Sequence, residues 1–360
     1  MKRLLLVGGG LANATVVHQH LRAPLPGVRV AWVVSDPRLT YLPWLPEAVA
    51  GGRGLDEVTV DLKPLALAAG VDWVTGQVVS LDLAQRVLCL ADGRQAEYDA
   101  IALDVGYGIA RQVITGAGEH GLAMQPAQRF ARLFDAVVDL AARRPLDLVV
   151  VSDLDAGLEL TMAVQQRLGE VRGFDTRISL VCGRQGLLPG WPAPARNDAA
   201  AALRRCRITV IAEDCIELTG RHAHLSNGAR LACDVPLLAC SERPATWLTT
   251  GGLALDEHGR VATSRTLQCP SHQDAFVADH DGPGDSASNR LLALNLRRYL
   301  AGGQLLVAKA NRQPLRFLSF GSRNALVRCG NWSAHGRWVW WLKQALERRA
   351  FAQLTTIRET

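Results

Sequence analysis

The sequence lacks an apolar run long enough to cross a membrane, although 48% of its 360 residues are hydrophobic. Its basic start, Met1–Val7, is followed by glycines too soon to be a signal peptide. None of its eight cysteines forms a C-x-x-C pair or has zinc-site spacing, so we predict no metal site and interpret the thiols as small buried side chains. These absences lead us to expect a cytoplasmic protein.

The sequence also has little excess of either charge. With 40 basic and 34 acidic residues the formal net charge is only +6, and the basic residues are spread along the chain, which argues against nucleic-acid binding. A mild positive charge suits an anionic cofactor or an anionic membrane surface. The length predicts two or three domains.

The chain opens with a short apolar strand, a glycine cluster and a helix-compatible segment, and the turn between them consists of Gly8, Gly9, Gly10, Leu11 and Ala12. This pattern is typical of a dinucleotide-binding βαβ unit. Gly8 permits a sharp turn, and Gly10 lets a pyrophosphate approach the backbone beside the free N–H groups of the helix start. Asn13 stands where the third glycine of G-x-G-x-x-G is expected. The alternative is an ordinary tight turn.

Two candidate segments follow the second predicted strand, Val28–Val34. Asp36 lies near the place where such units hold the adenosine ribose, although a turn aspartate before proline is an equal alternative. The segment that contains Tyr41 and Pro43 is dense in proline and aromatic residues, so we expect it not to form the interior of a regular helix or strand. It is interpreted as a rigid apolar wall, for a flat ring or for core packing.

The strand–turn–helix–strand pattern recurs from Leu146 to Val181. In this second unit Ser152 and Leu154 replace the first two glycines, and two aspartates, Asp153 and Asp155, lie beside them. A nucleotide pyrophosphate would meet like charge here, which costs about 1 to 4 kcal/mol per unit pair at ~4 Å, depending on the dielectric. The recurrence predicts an α/β fold with two nucleotide-type units.

With both turns and the tail considered, the chain resembles the two-dinucleotide-binding-domain flavoproteins, which are pyridine nucleotide-disulfide oxidoreductase-like. It is most similar to the type II NADH dehydrogenase and sulfide:quinone oxidoreductase group, and to NADH-dehydrogenase-like proteins fused to selenide, water dikinase. The resemblance covers nearly the whole chain and is carried by the segments Leu6–Gly10, Leu45–Gly51, Asp61–Leu65, Tyr98–Gly106, Leu187–Gly190 and Gly336–Trp340.

The resemblance implies two Rossmann-like FAD/NAD(P)-binding domains, each with three ββα layers, and a small C-terminal α+β tail. It places the FAD-binding domain in residues 1–120 and 246–310, with a degenerate NAD(P)-binding-like domain at 121–245 between them. Residues 311–360 form the tail with its tryptophan-rich helix.

The resemblance also implies FAD in the first unit, with its pyrophosphate on Gly8–Gly10. The isoalloxazine would lie near Tyr41–Pro46 and near the turn Asp104–Gly108, which contains Val105 and Gly106. The implied chemistry is the transfer of two electrons from a hydride or thiolate donor to the flavin, and then to a quinone or another small redox partner. No catalytic residue is singled out.

Departures from the family pattern limit these expectations. Asp279-His280 stands where the family has a glycine–aspartate pair that holds the flavin, so His280 or Asp281 is either a substitute hydrogen-bond partner or an ordinary loop residue. Ser152 and Leu154 make NAD(P)H an unsuitable donor, and the cysteines offer no convincing redox pair. The alternative function is that of a non-catalytic relative, a binding or partner-interaction module.

The predicted tail helix combines tryptophans, Trp338–Trp341, with the basic residues Lys343, Arg348 and Arg349. Helices at membrane interfaces combine these residue types, which predicts contact with an anionic membrane surface. The alternative is a helix that packs on the body or on a second copy of the chain, in a homodimer.

Overall fold

The computed structural model describes residues 1–104, 108–109, 114–171, 175–240, 242–243, 245–256, 261–278, 286–308 and 315–355. Up to residue 109 its helices and strands are β1 (Lys2–Val7), α1 (Leu11–Arg22), β2 (Val28–Val34), β3 (Arg38–Thr40), α2 (Leu45–Val49), β4 (Thr59–Asp61), α3 (Lys63–Ala68), β5 (Asp72–Thr75), β6 (Val78–Asp82), β7 (Val87–Leu90), β8 (Gln95–Glu97), β9 (Ala100–Leu103) and β10 (Gly108–Ile109), with 3-10 turns at Leu42–Trp44 and Asp56–Val58.

The remaining elements are α4 (Ala117–His120), β11 (Leu122–Ala123), α5 (Ala127–Ala141), β12 (Asp147–Val151), α6 (Asp155–Gly169), β13 (Arg177–Val181), α7 (Ala193–Arg205), β14 (Thr209–Ile211), β15 (Cys215–Leu218), β16 (His222–Leu225), β17 (Arg230–Ala232), β18 (Val235–Leu238), β19 (Glu242–Arg243), α8 (Thr246–Thr250), β20 (Gln268–Cys269), β21 (His272–Val277), α9 (Ser286–Leu300), β22 (Arg316–Ser319), β23 (Ala325–Cys329), β24 (Trp332–Gly336) and α10 (Arg337–Thr355).

The first sheet has the strand order β20-β21-β9-β1-β2-β5 and is parallel except for β20. Side chains alternate along β1, so Leu4 and Leu6 face one layer while Leu5 and Val7 face the other. Helices α1 and α9 cover the first face, and the antiparallel sheet β6-β7-β8 covers the second. Because parallel strands end at one edge, the turns after β1, β2 and β9 lie close together there.

The second sheet repeats this arrangement. Its order is β11-β18-β12-β13-β14, all parallel. Along β12, Leu148 and Val150 face the helices α5, α6 and α7, while Val149 and Val151 face the small antiparallel sheet β15-β16-β17. Both units therefore have three layers: helices, a parallel sheet and an antiparallel sheet. The internal repeat expected from the sequence is present.

The C-terminal part consists of the antiparallel sheet β22-β23-β24 and the helix α10. The N-terminal half of α10 packs on β23 and β24 through Val339, whereas Leu354 near its C-terminus belongs to the core of the first unit. This helix thus connects the tail to the first unit.

The proline-rich segment contains short regular elements: Arg38–Thr40 pairs with Thr59–Asp61, and a 3-10 turn and α2 follow it. The prolines fit because Pro46 lies in the first turn of α2, where an N–H has no helical partner.

Candidate functional site

The glycine turn of the first unit is tied to the sheet by side-chain hydrogen bonds. Gly8 has a φ of 99°, in the region that favours glycine, and its carbonyl oxygen accepts hydrogen bonds from Trp32 Nε1 at 2.8 Å and Asn13 Nδ2 at 3.0 Å. The same amide of Asn13 also donates to the Val7 carbonyl oxygen at 2.9 Å. Asn13 therefore fills the place of the third glycine with a side chain that fastens α1 to β1.

The start of α1 offers two backbone donors. Gly10 precedes the helix in an extended conformation, and the first N–H groups of any helix lack partners inside it. Within the described part of the chain, the N–H groups of Leu11 and Ala12 donate no hydrogen bond. Together with the helix dipole, they form a site suited to an anionic group.

A buried carboxylate lies against this turn. Asp104, directly after β9, is 4% exposed, and its Oδ2 accepts a hydrogen bond from the Asn13 N–H at 2.9 Å. A methyl group placed on Gly10 would lie 2.2 Å from Asp104 Oδ1, so the carboxylate is in contact with the glycine backbone. The sequence analysis placed Asp104 only in the turn near the expected isoalloxazine and missed its contact with the glycine turn. That contact depends on β9 lying beside β1 in the sheet.

Asp36 lies at the same edge of the sheet. Its carbonyl oxygen is 3.5 Å from the position that a Cβ of Gly9 would take, which brings the end of β2 beside the glycine turn. Its half-exposed carboxylate accepts the Arg38 N–H at 2.9 Å and lies 3.4 Å from Arg38 Nε. Asp36 is therefore a turn cap that remains open to solvent, and its role toward a ribose stays a prediction.

Tyr41 and Pro43 lie beneath the C-terminal helix. The Tyr41 ring is 1% exposed and packs against Trp44, with ring centroids 5.2 Å apart, and against Phe351 of α10 at 5.4 Å. Burial, and the nearby Glu347 carboxylate, raise the pKa of the Tyr41 hydroxyl. The Pro43 carbonyl oxygen accepts a hydrogen bond from Lys343 Nζ at 3.2 Å. Contact of this segment with an isoalloxazine stays a prediction.

Four of the predicted site residues, Val105, Gly106, His280 and Asp281, lie outside the described residues.

A buried ionic cluster connects α10 to both units. Lys343 Nζ lies 2.8 Å from Glu347 Oε1, and Glu159 on α6 accepts the Ser319 N–H at 2.6 Å. Burial lowers the pKa of Lys343, but the carboxylates of Glu159 and Glu347 outweigh it and the pKa is raised. Burial raises the pKa of Glu159, and that of Glu347 to about 7.

A second part of this cluster lies on α2. Arg53 Nε lies 2.5 Å from Glu47 Oε2, and Arg53 Nη2 donates to Gln344 Oε1 at 2.9 Å. Gln344 Nε2 donates to Glu47 Oε1, and the Arg53 guanidinium lies over the Trp44 ring, 4.2 Å from its centroid. Sequence periodicity gave no indication that α10 turns polar residues toward the body.

The glycine-depleted turn of the second unit is filled by its own side chains. A methyl group placed on Gly157 would lie 2.2 Å from Ser152 Cβ. The Ser152 hydroxyl donates to the Ala239 carbonyl oxygen and accepts the Leu154 N–H at 3.0 Å. Asp155, at the start of α6, accepts a hydrogen bond from Trp191 Nε1 at 2.8 Å, and burial raises its pKa.

A small cleft remains beside this turn. Its volume is about 10 Å³, close to the room that one water molecule needs, and it is lined by Ser152–Leu154, Gly186–Pro189 and Cys182. Sites for ligands and cofactors usually measure about 300–1,000 Å³. The cleft also presents Asp153, so it suits a dinucleotide poorly in size and in charge.

Three cysteine thiols of the second unit are not activated. Burial raises the pKa of Cys215 to about 11 and those of Cys233 and Cys240 to about 12, which keeps these thiols protonated near neutral pH. Sulfide oxidation through a cysteine pair requires a thiolate. The interpretation as buried side chains fits Cys182, Cys215, Cys233 and Cys269, whereas the other four cysteines are half-buried.

Helix α10 exposes an apolar stripe. Trp338 and Trp341 are each 54% exposed, and Leu342 and Leu346 continue the stripe at helical spacing. Lys343 and Gln344, in contrast, are nearly fully buried. Among the described helices, none is long and apolar enough to cross a membrane.

No protein-family model matches the sequence. Among solved structures, the chain is similar to sulfide:quinone oxidoreductase from Aquifex aeolicus, with a TM-score of 0.81 and 15% identity over 98% of this chain and 91% of that one. It is also similar to NDH2 from Plasmodium falciparum, solved with NADH, with a TM-score of 0.77 and 11% identity over 99% and 98% of the two chains. A ferredoxin reductase from Rhodopseudomonas palustris matches with a TM-score of 0.73 and 18% identity over 91% of this chain and 82% of that one. The fold expected from the sequence resemblance is confirmed: the chain has the two-dinucleotide-binding-domain fold of the sulfide:quinone oxidoreductase and type II NADH dehydrogenase group.

Proposed function

We propose that this chain is an FAD-dependent oxidoreductase. The observation that carries the proposal is the start of α1, where a glycine turn presents the unbonded N–H groups of Leu11 and Ala12 at the carboxyl edge of a parallel sheet. This is the part of the fold where dinucleotide diphosphates bind. The similar proteins from Aquifex aeolicus and Plasmodium falciparum are oxidoreductases by name or bind NADH.

Apart from the Asp104 carboxylate, the residues present fit the cofactor at this end. Gly8–Ala12 would hold the diphosphate, and Asp36 would hold the adenosine ribose. Val105, Gly106, His280 and Asp281 remain proposed contacts from the sequence pattern alone. FAD, when bound, supplies the ability to take an electron pair from a donor and pass it to an acceptor.

The proposed donor is not NAD(P)H in the usual position. Ser152 fills the space beside Gly157 and accepts the Leu154 N–H, and the remaining cleft is small and presents Asp153. The proposed acceptor is a quinone or another small redox partner, a class named for the similar protein of Aquifex aeolicus. The exposed stripe on α10 supports peripheral contact with an anionic membrane surface.

The test compares two substitutions at one position. Leu11 is half-buried at the first helical residue, and the first turn of α1 contains no acidic residue. Leu11→Glu adds a charge that favours the helix dipole but repels a diphosphate, whereas Leu11→Gln is a neutral control of the same size. We expect Leu11→Glu to bind FAD at least ~tenfold more weakly than Leu11→Gln, with equal or higher thermal stability.

The purified wild-type protein should show oxidised-flavin absorbance, directly or after FAD is added. A colourless protein that takes up no FAD contradicts the proposal. It would favour the second candidate function, a non-catalytic interaction module, which the filled turn at Ser152 already supports.

A further inference from the structure

The carboxylate of Asp104 lies beside Gly10, where a bound diphosphate would approach the backbone. We propose that Asp104 sets the affinity of the first unit for FAD: it caps α1 when the site is empty and opposes the diphosphate when FAD binds. The inference rests on the proposed function, since it presumes FAD at this turn.

The Asp104 carboxylate is in direct contact with Gly10. A glycine at this position allows a diphosphate to approach the backbone closely. A methyl group there would lie 2.2 Å from Asp104 Oδ1 and 2.4 Å from Oδ2, so both oxygens already contact the glycine. A diphosphate that approaches Gly10 therefore has a carboxylate as its neighbour. Asp104 is 4% exposed, and water screens such a charge little.

Asp104 also caps helix α1. Gly10 cannot cap α1 with a side chain, and the first turn of the helix has no acidic residue. Asp104 accepts the Asn13 N–H from the neighbouring strand end instead, at 2.9 Å. A carboxylate at a helix N-terminus stabilises the helix through this bond and through the dipole. The same side chain thus stabilises the empty protein and competes with the ligand for the positive end of the helix.

These two effects predict changes of opposite sign. Asp104→Asn removes the charge but keeps a carbonyl oxygen that can accept the Asn13 N–H. We expect it to lower the melting temperature of the FAD-free protein and to decrease the Kd for FAD by ~tenfold or more. A side chain with a purely structural role would lower the melting temperature without strengthening FAD binding.

Asp274→Asn is the matched control. Asp274 is a buried carboxylate on β21 in the same sheet, ion-paired to Arg86, and it lies about four strand positions, or ~13 Å, from the level of Asp104. Its substitution should destabilise the protein and leave the Kd for FAD within about twofold of the wild-type value. Asp104→Ser, whose hydroxyl can also accept the Asn13 N–H, serves as a second variant if Asp104→Asn does not fold.

FAD titrations of the wild-type, Asp104→Asn, Asp104→Ser and Asp274→Asn proteins, followed by quenching of flavin fluorescence, separate the outcomes. Tighter binding by either Asp104 variant alone supports the inference, also when the wild-type protein is colourless. If the wild-type protein binds FAD and the folded Asp104 variants bind no more tightly, the inference is wrong while the proposed function stands. If none of the four proteins binds FAD, both are wrong.

Discussion

Glu347 illustrates what one side chain can do to stability in a buried ionic cluster. Its carboxylate faces the Lys343 ammonium, the carboxylates of Glu159 and Glu47, and the Tyr41 ring. Burial raises the pKa of Glu347 from 4.5 to about 7, with Lys343 opposing the shift. The folded protein therefore keeps a proton that the unfolded chain loses as the pH rises above about 4.5.

This difference predicts a pH-dependent stability. The contribution of Glu347 is largest below its unfolded pKa and decreases as the pH rises to about 7. In urea unfolding between pH 5 and 8, the free energy of unfolding of the wild type minus that of Glu347→Gln should fall with rising pH. Glu97→Gln, at an exposed residue, should show the wild-type pH dependence. A difference that stays constant or rises with pH contradicts the assignment.

At the scale of elements, α10 exposes an apolar stripe while it buries polar side chains. Trp338, Trp341, Leu342 and Leu346 are exposed, whereas Lys343 and Gln344 are buried beside the apolar contacts of Val339 and Leu354. A helix normally buries its apolar stripe, because that burial stabilises the fold. We propose that the exposed stripe contacts an anionic membrane surface.

The corresponding prediction concerns two tryptophans. Trp338→Ser with Trp341→Ser should reduce cosedimentation with anionic liposomes at low salt several-fold, since both side chains would insert at the interface. Ile216→Ser is the control, because Ile216 is 50% exposed on β15 and away from α10. Equal binding of wild-type and double-variant proteins, or no binding by the wild type, would show that the stripe serves another contact.

The sequence predicted this helix as an element but could not predict its orientation. Tryptophan and leucine spacing defines an apolar stripe equally well for a core and for a surface. Only the buried partners Glu159 and Glu47, which are distant in the sequence, decide which face turns inward. The segment at Leu42–Val49 was missed for a related reason, since prolines exclude a helix interior but not its first turn.

At the scale of the whole molecule, the two units share one architecture but differ at the start of the helix that follows the glycine-type turn, α1 in the first unit and α6 in the second. The first keeps free N–H groups at Leu11 and Ala12, while the second engages the Leu154 N–H with Ser152 and places Asp155 at the helix start. The repeat itself could be read from the sequence, because strand, turn and helix recur in order. The role of Asp104 could not, because it depends on which strands are neighbours.

This asymmetry predicts the kinetics of flavin reduction. With FAD bound, the protein should show no reduction by NADH or NADPH at near-millimolar concentration in a stopped-flow experiment. Reduction by dithionite provides the control that the bound flavin is competent. Rapid reduction by either nucleotide, with saturation in the micromolar range, would show that the second unit binds NAD(P)H productively.

The strand order of the first sheet also dictates a sequence of events during synthesis. β9 lies between β1 and β21, yet β21 leaves the ribosome only after the entire second sheet, residues 122–238, has been made. Until then β9 is an exposed, wholly apolar edge, the kind of edge that promotes aggregation. The second unit, whose strands are contiguous in the chain, can fold in that interval, and the first unit is completed last although its glycine turn is made first.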